Sequence, residues 1–365
     1  MGRGDATRLS SVCRRREFLG SVAVGGLATL AGCIEHGQAS ELEGQIVVDG
    51  SNTVLPHGAA VALEFMWRNN RVSIPVRGSG TGAGFQRFCT EETVIQNASR
   101  QILPDEESAC SDNGVEWIEL QALLDGIAIF VHPDNDWIPE DEGLTVAELR
   151  AIWERDSTVQ TWSDVREDWP DEEIVLYGRD SASGTFDYFT EHITGELGNI
   201  RRDYSGTPDT NVIVRGVRGN KYALGWGGAG YYFENQDDLR LLGVAEDDDS
   251  PYVFPRRENI EDGTYSPLSR AMYIYIRKDA LASPLVRAYA RFFFDEIDEE
   301  GYRLAEEFDI IDPGESLLWT QYAARRVGFF AITDGWIEQA FDGRYTTIEE
   351  YIDDTLEAAI EEVTG

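Results

Sequence analysis

Three turns rich in glycine, serine and threonine hold the residues best suited to chemistry. They read Gly50-Ser51-Asn52-Thr53-Val54, Gly78-Ser79-Gly80-Thr81-Gly82-Ala83-Gly84 and Arg179-Asp180-Ser181-Ala182-Ser183-Gly184-Thr185. Glycine lets backbone approach a ligand closely, while hydroxyls and the free N–H groups of a first helical turn donate hydrogen bonds. A helix N-terminus adds a positive partial charge to those donors. Three such ends aimed at one point would form a donor cage for a small oxyanion. That chemistry is recognition. No Gly-Lys-Ser/Thr follows the glycines, so the turns are not a P-loop. A serine nucleophile needs a histidine base oriented by an acid, and His57 and His192 have no evident orienting partner. A serine hydrolase is therefore a remote alternative. The four histidines (His36, His57, His132, His192) lack metal-ligand spacing, and neither a metal nor a cofactor is expected.

The elements around these turns alternate between strand and helix patterns. Residues 45–49 form a short β run that stops at Gly50, and Pro56 stands in the first turn of the next helix, where its missing N–H costs nothing. Leu55, Ala59, Ala62, Leu63 and Met66 predict that helix's apolar face. Residues 72–76 read as the strand entering the second turn, and Phe85, Phe88 and Cys89 as the buried face of the helix after it. The apolar run 127–131 predicts a strand buried on both sides, and 272–276 repeats the pattern, as paired crossovers between two domains would. Thr145 with Glu148 three residues on reads as a capping box. Residues 174–177 lead into the third turn, whose helix is lined by Phe186, Phe189 and Ile193, while 212–214 and 223–226 read as further core pieces. The alternation predicts an α/β chain of two domains. From residue 315 the chain turns aromatic-rich and ends in an acidic amphipathic helix over 347–363, expected to pack on the first domain.

A chain of 365 residues suffices for two cores, and 42% hydrophobic content predicts a folded protein. The net charge of −36, from 67 acidic against 31 basic residues, argues against nucleic acid and anionic lipid headgroups as partners. Arginine carries nearly all the positive charge, with lysine only at Lys221 and Lys278. This dispersed acidity looks like that of a halophilic archaeon. In molar salt the Debye length is about 3 Å, so self-repulsion becomes tolerable and the fold is expected to need high ionic strength. Residues 1–33 read as a targeting segment: Arg14-Arg15-Arg16-Glu17-Phe18-Leu19 resembles a twin-arginine signal, and a short apolar stretch leads to the lipobox Leu30-Ala31-Gly32-Cys33. Cys33 is then the lipid anchor, with 34–44 as a tether, and the body lies outside the cytoplasmic membrane. In that compartment Cys89 and Cys110 can form a disulfide, worth roughly 3 kcal/mol, with buried free thiols as the alternative.

Four segments carry a family resemblance. Residues 49–54, 78–85, Asn97-Ala98-Ser99-Arg100 and 183–189 resemble, in the same order, the phosphate-binding lipoproteins of ABC phosphate transporters, and Pro267-Leu268-Ser269-Arg270 is similar as well. The resemblance implies a class II periplasmic-binding fold with two crossover strands, 45–127 and 268–365 forming lobe I and 128–267 lobe II. It implies phosphate-binding roles for Thr53, Val54, Ser79, Ser99, Arg100, Arg179, Ser183, Gly184 and Thr185, and implies permease subunits as partners of a monomer. Arg100 and Arg179 would compensate the dianion, or could instead form surface salt bridges; Thr53 and Ser183 could also cap their helices. Relatives carry acidic residues where this chain has Val94 and Asn97, so Asp125 and Asp180 become the candidate acceptors of the ligand's proton. Another tetrahedral oxyanion such as sulfate, or a phosphate sensor without transport, are the alternatives.

The ordered arginine pair, apolar stretch and lipobox generate a test. Cys33→Ser should release the protein from membranes or block its processing, read by fractionation. Unchanged membrane association would contradict the anchor.

Overall fold

One strand runs through both halves of the molecule, and the remaining architecture is arranged along it. The structure, a computed structural model, describes residues 42–181, 183–207, 210–233, 235–308, 310–311 and 314–365. The signal, the lipobox with Cys33 and most of the tether lie outside them. The strands are β1 (Gly44–Gln45), β2 (Val48–Gly50), β3 (Val72–Ser73), β4 (Ile95–Ala98), β5 (Trp117–Val131), β6 (Gly143–Thr145), β7 (Val175–Arg179), β8 (Ser205–Thr207), β9 (Ala223–Gly228), β10 (Arg240–Ala245) and β11 (Ser269–Arg277). Strand β1 pairs with β3, so residue 44, expected in the tether, already belongs to the folded body.

The other nine strands form one sheet in the order β2-β4-β11-β5-β9-β7-β8, with β10 joining β5 to β6. Along 117–126, β5 pairs with β11; from Ile127 to Val131 it pairs with β9, and its last three residues also with β10. The pairing therefore changes partners at Gly126/Ile127. The apolar run 127–131 lies wholly within the second half, whereas 272–276 of β11 lies wholly within the first. Neither run is itself the crossing point. The first run is sealed, as a strand covered on two faces must be, and the second is buried except at Tyr273, which is half-buried.

Side-chain periodicity mostly survives in three dimensions. Phe186, Phe189 and Ile193 are buried as their spacing predicts, and Phe189 stacks on Trp226 with ring centroids 4.0 Å apart. Thr145 accepts from the Glu148 N–H at 3.1 Å while the Glu148 carboxylate accepts from the Thr145 N–H at 2.8 Å. Residues 212–214 fall in the Thr210–Arg218 helix, with Ile213 and Val214 inward and Val212 outward. Cys89 and Cys110 are disulfide-bonded, beneath Phe85 and Phe88.

The first helix, Leu55–Arg68, turns a different face inward from the one predicted. His57, Gly58, Val61, Ala62 and Phe65 are buried, whereas Leu63 is 62% exposed. Close packing decides this: a Cβ at Gly58 would stand 2.7 Å from Asn97 Nδ2, and Phe65 packs edge-on against Tyr289 and Phe292. The tail packs against this helix and the first half of β5. Thr320 Oγ1 donates to Ala122 O at 2.6 Å, Trp336 Nε1 donates to Gln121 Oε1 at 2.6 Å, and Tyr351 Oη accepts from Gln121 N at 2.9 Å.

His57 supplies a test of this packing. Its Nε2–H donates toward Thr320 O and Oγ1 at 3.1 Å, since the Thr320 hydroxyl proton is used on Ala122. Burial pushes the imidazole pKa from 6.5 down to about 4, against the Thr320 bond, so the fold holds it neutral. The unfolded chain takes up the proton first. Stability from this group is present above pH 6.5 and lost as pH falls toward 4, by about 3 kcal/mol in full. Thermal midpoints over that window should fall less steeply in His57→Gln than in the parent; equal slopes would contradict the assignment.

Candidate functional site

The three glycine turns meet in one cleft. Two adjoining cavities of about 280 and 300 Å³ share Asn52, Thr53, Ser183 and Gly184 as walls. The first continues to Asp125, Arg179, Thr185 and Thr210, and the second to Gly80, Thr81, Gly82, Ser99, Arg100, Asp187 and Arg270. First-turn residues of the Thr81–Phe88, Gly184–Ile193 and Thr210–Arg218 helices thus face the same space, beside the turn that enters Leu55–Arg68. Such ends concentrate N–H donors and positive potential.

Local chemistry holds each turn in place. Gly50 has φ +131°, and a Cβ there would stand 2.1 Å from Asn97 O, so only glycine lets β2 lie this close to β4. The carboxylate of Asp49, fully buried, accepts from Gly50 N at 2.8 Å and Ser79 N at 3.1 Å and is paired with Arg87. It ties the first turn to the second. Burial raises its pKa, but bonds from Ser79, Gly50 and Arg87 more than offset this and hold it below the ordinary value.

The residues expected to bind the ion divide into groups. Thr53, Ser99, Arg100, Arg179, Ser183, Gly184 and Thr185 all line the cleft. Ser79 lines neither cavity; its N–H is engaged by Asp49. The Val54 side chain is buried in the core, and its N–H points to Ser51 Oγ at 3.4 Å. The cap of that helix entrance is accordingly Ser51, which also accepts from Thr53 N, rather than Thr53. Ser183 does cap its helix, accepting from Thr185 N at 3.3 Å while receiving Arg179 Nε at 2.9 Å. Arg179 also donates to Thr210 Oγ1 at 2.6 Å, a second-half partner that no motif announces.

Charge is distributed differently from the expected pair of cations. Arg100 makes a two-pronged bond to Glu106, 2.8 Å on each arm, which is the salt-bridge alternative for this residue. Arg270, which ends the Pro267-Leu268-Ser269-Arg270 motif, is buried at the cleft and bonds Asp125 Oδ2 through Nη2 at 2.9 Å. Of the two carboxylates proposed as proton acceptors, Asp125 lines the cleft and Asp180 lines neither cavity, its N–H turned to Thr207 O. Asp187 was missed. It stands four residues after the Ser183 cap on the same helix face, and burial pushes its carboxyl above the ordinary value despite Arg270 and Arg100 nearby. The tail was missed as well: Val327, Gly328 and Phe329 form part of the cleft wall. His57 is sealed in the core, out of reach of any substrate.

Known proteins bear on this geometry. The model of the PBP superfamily domain matches residues 37–296. The chain belongs to the PBP superfamily. It is 39% identical over 257 residues to the protein SphX of a Synechocystis species, covering 70% of this chain and 75% of that relative. It is 32% identical over 321 residues to the phosphate-binding protein PstS of Staphylococcus saprophyticus, covering 87% and 91%. Among solved structures, a possible phosphate binding protein from Planctomyces limnophilus superposes with a TM-score of 0.62 at 38% identity, covering 83% of this chain and all but 2% of the other, 98%. The two-lobe mixed α/β fold is that of this superfamily.

Gly184 offers the sharpest test of the cleft. A Cβ on it would meet Ser99 Oγ at 3.1 Å and Thr53 Oγ1 at 3.2 Å, so both hydroxyls would have to move by a few tenths of an ångström. Gly184→Ala should leave the ligand-free thermal midpoint unchanged or raised, since alanine suits a helix better by up to about 1 kcal/mol. Phosphate affinity by calorimetry should fall roughly tenfold, the scale of a 1.4 kcal/mol loss. Parental affinity would mean the hydroxyls do not act on the ligand.

Proposed function

We propose that this chain binds one inorganic phosphate outside the cytoplasmic membrane and delivers it to the permease subunits of an ABC importer. The carrying observation is the meeting of Gly184, at a helix N-terminus, with the hydroxyls of Thr53 and Ser99 from the other half of the sheet. Donors from both halves can then replace the hydration shell of a dianion, which neither half does alone. Relatives named as phosphate-binding proteins support the choice of ion. On this reading Thr53, Ser99, Ser183, Gly184 and Thr185 supply dipoles, Arg179 supplies charge, and Arg100 contributes through its pair with Glu106.

Lobe I comprises 45–127 and 268–365, lobe II comprises 128–267, and closure is a hinge motion where the chain crosses between them. The protein acts as a receptor rather than an enzyme, as a monomer held by lipid on Cys33, in a salt-accumulating halophile. Phosphate is favoured over sulfate because a cleft carboxylate attracts an ion that carries a proton and repels one that does not. Asp125, Asp187 and Glu191 are the carboxylates that line the cleft, and Asp125 and Asp187 are the ones assigned this part.

Calorimetry in molar KCl with phosphate, sulfate and arsenate tests this reading. Phosphate and arsenate should bind and sulfate should not. Arg179→Ala should weaken phosphate binding by on the order of 2–5 kcal/mol without unfolding the protein. Preference for sulfate would overturn the choice of ion, and parental affinity in Arg179→Ala would overturn the placement of the cage.

A further inference from the structure

We infer that Arg270 is a positioning residue that holds the two lobes closed over the ligand. The inference rests on the oxyanion-binding reading of the cleft and adds the group that couples it to closure. Arg270 and Asp125 stand directly opposite each other in the β11–β5 pairing. The guanidinium donates to Asp125 Oδ2 through Nε at 3.3 Å and Nη2 at 2.9 Å, with both side chains buried. Its remaining arm, Nη1, donates to Ser99 O at 3.3 Å and to Gly184 O at 3.0 Å. The plane of Tyr188 lies against it, 4.7 Å from the ring centroid.

These contacts differ in what lobe opening does to them. Asp125 lies on the part of β5 that pairs with β11, and Ser99 follows β4, the other neighbour of β11. Those bonds move with Arg270 and survive opening. Gly184 and Tyr188 belong to the helix after β7, in the opposite half of the sheet. Those contacts exist only when the lobes are together. Asp125 and Ser99 therefore aim the guanidinium in advance, and Nη1 meets its second acceptor on closing. Because the acceptor is the carbonyl of Gly184, the contact forms at the residue whose backbone lies against Thr53 and Ser99. A buried pair serving only the core would stabilise open and closed states alike; this one adds a bond in the closed state.

Lysine at this position keeps the charge opposite Asp125, but its single ammonium cannot bridge Asp125, Ser99 O and Gly184 O together. Arg270→Lys and Asp125→Asn would be titrated with inorganic phosphate, with small-angle scattering in its absence and at saturation. For Arg270→Lys the dissociation constant should rise at least tenfold, with faster release and a smaller phosphate-induced compaction than the parent. Asp125→Asn, which loosens the aim of the guanidinium, should show a weaker form of the same defect. Dissociation constants within twofold of the parent in both variants would overturn the latch, as would a lowered ligand-free thermal midpoint with unchanged binding. Parent binding of sulfate instead of phosphate would overturn only the choice of ion, and the latch would then be judged by the same ratios with sulfate. A parent that binds neither ion would overturn both.

Discussion

The approach of Gly184 to the hydroxyls of Thr53 and Ser99 is the constraint on which this structure depends. A Cβ at residue 184 would stand 3.1 and 3.2 Å from those oxygens and push them aside by a few tenths of an ångström. Bringing a helix N-terminus so near two hydroxyls from another part of the sheet requires every supporting element to be placed closely. Gly50 permits β2 to lie against Asn97, and the Asp49 carboxylate ties the first turn to Ser79. Phe189 stacked on Trp226 fixes the opposing helix from behind. Each support is local, but together they decide where the donors point.

An anion site in so acidic a chain depends on how its few cations are allotted. Arg87 is paired with Asp49, Arg100 with Glu106 and Arg270 with Asp125, all at or beside the turns. Of these, only the Arg270–Asp125 pair is buried on both sides, and such a pair contributes little net stability once desolvation is counted. The half-exposed pairs contribute little for want of a low dielectric. The use of all three here is orientation: Glu106 and Asp125 each fix a guanidinium whose other donors reach backbone carbonyls beside the cleft, and Asp49 holds Arg87 beside the first turn. Arg179 also donates to hydroxyls, those of Ser183 and Thr210. Much of the positive potential in the cleft then falls to helix ends, whose charge is part of the backbone and needs no counterion.

The C-terminal tail belongs to the same design. It packs on the first helix and on β5 through Thr320, Trp336 and Tyr351, and the backbone of Leu124 exchanges both hydrogen bonds with that of Phe330. Just before that bridge, residues 327–329 form cleft wall, and Gly230 passes close to Gly328 O. The tail therefore braces one half of the sheet and supplies part of the cleft wall.

How much of this was legible in the chain depends on the range of the interaction. The α/β alternation, the Thr145 capping box, the Ser183 cap and the buried face 186/189/193 follow from contacts within a few residues, and all could be read directly. The glycine turns could be read because glycine and hydroxyl spacing reports backbone geometry. Tertiary structure decided the rest. Asp187 lies one turn beyond Ser183 on the same helix face, yet its place in the cleft was set by packing. Arg100 could serve the ion or a salt bridge, and the fold gave it Glu106. The apolar count of the first helix pointed to Leu63 where packing chose His57 and Gly58. Arg270 and Asp125 are separated by 145 residues and meet only because two strands pair in one register. By itself the sequence determined which residues could donate, accept and turn. Which of them share one space was set by strand pairing and close packing, since those act between segments whose separation along the chain carries no record of their contact.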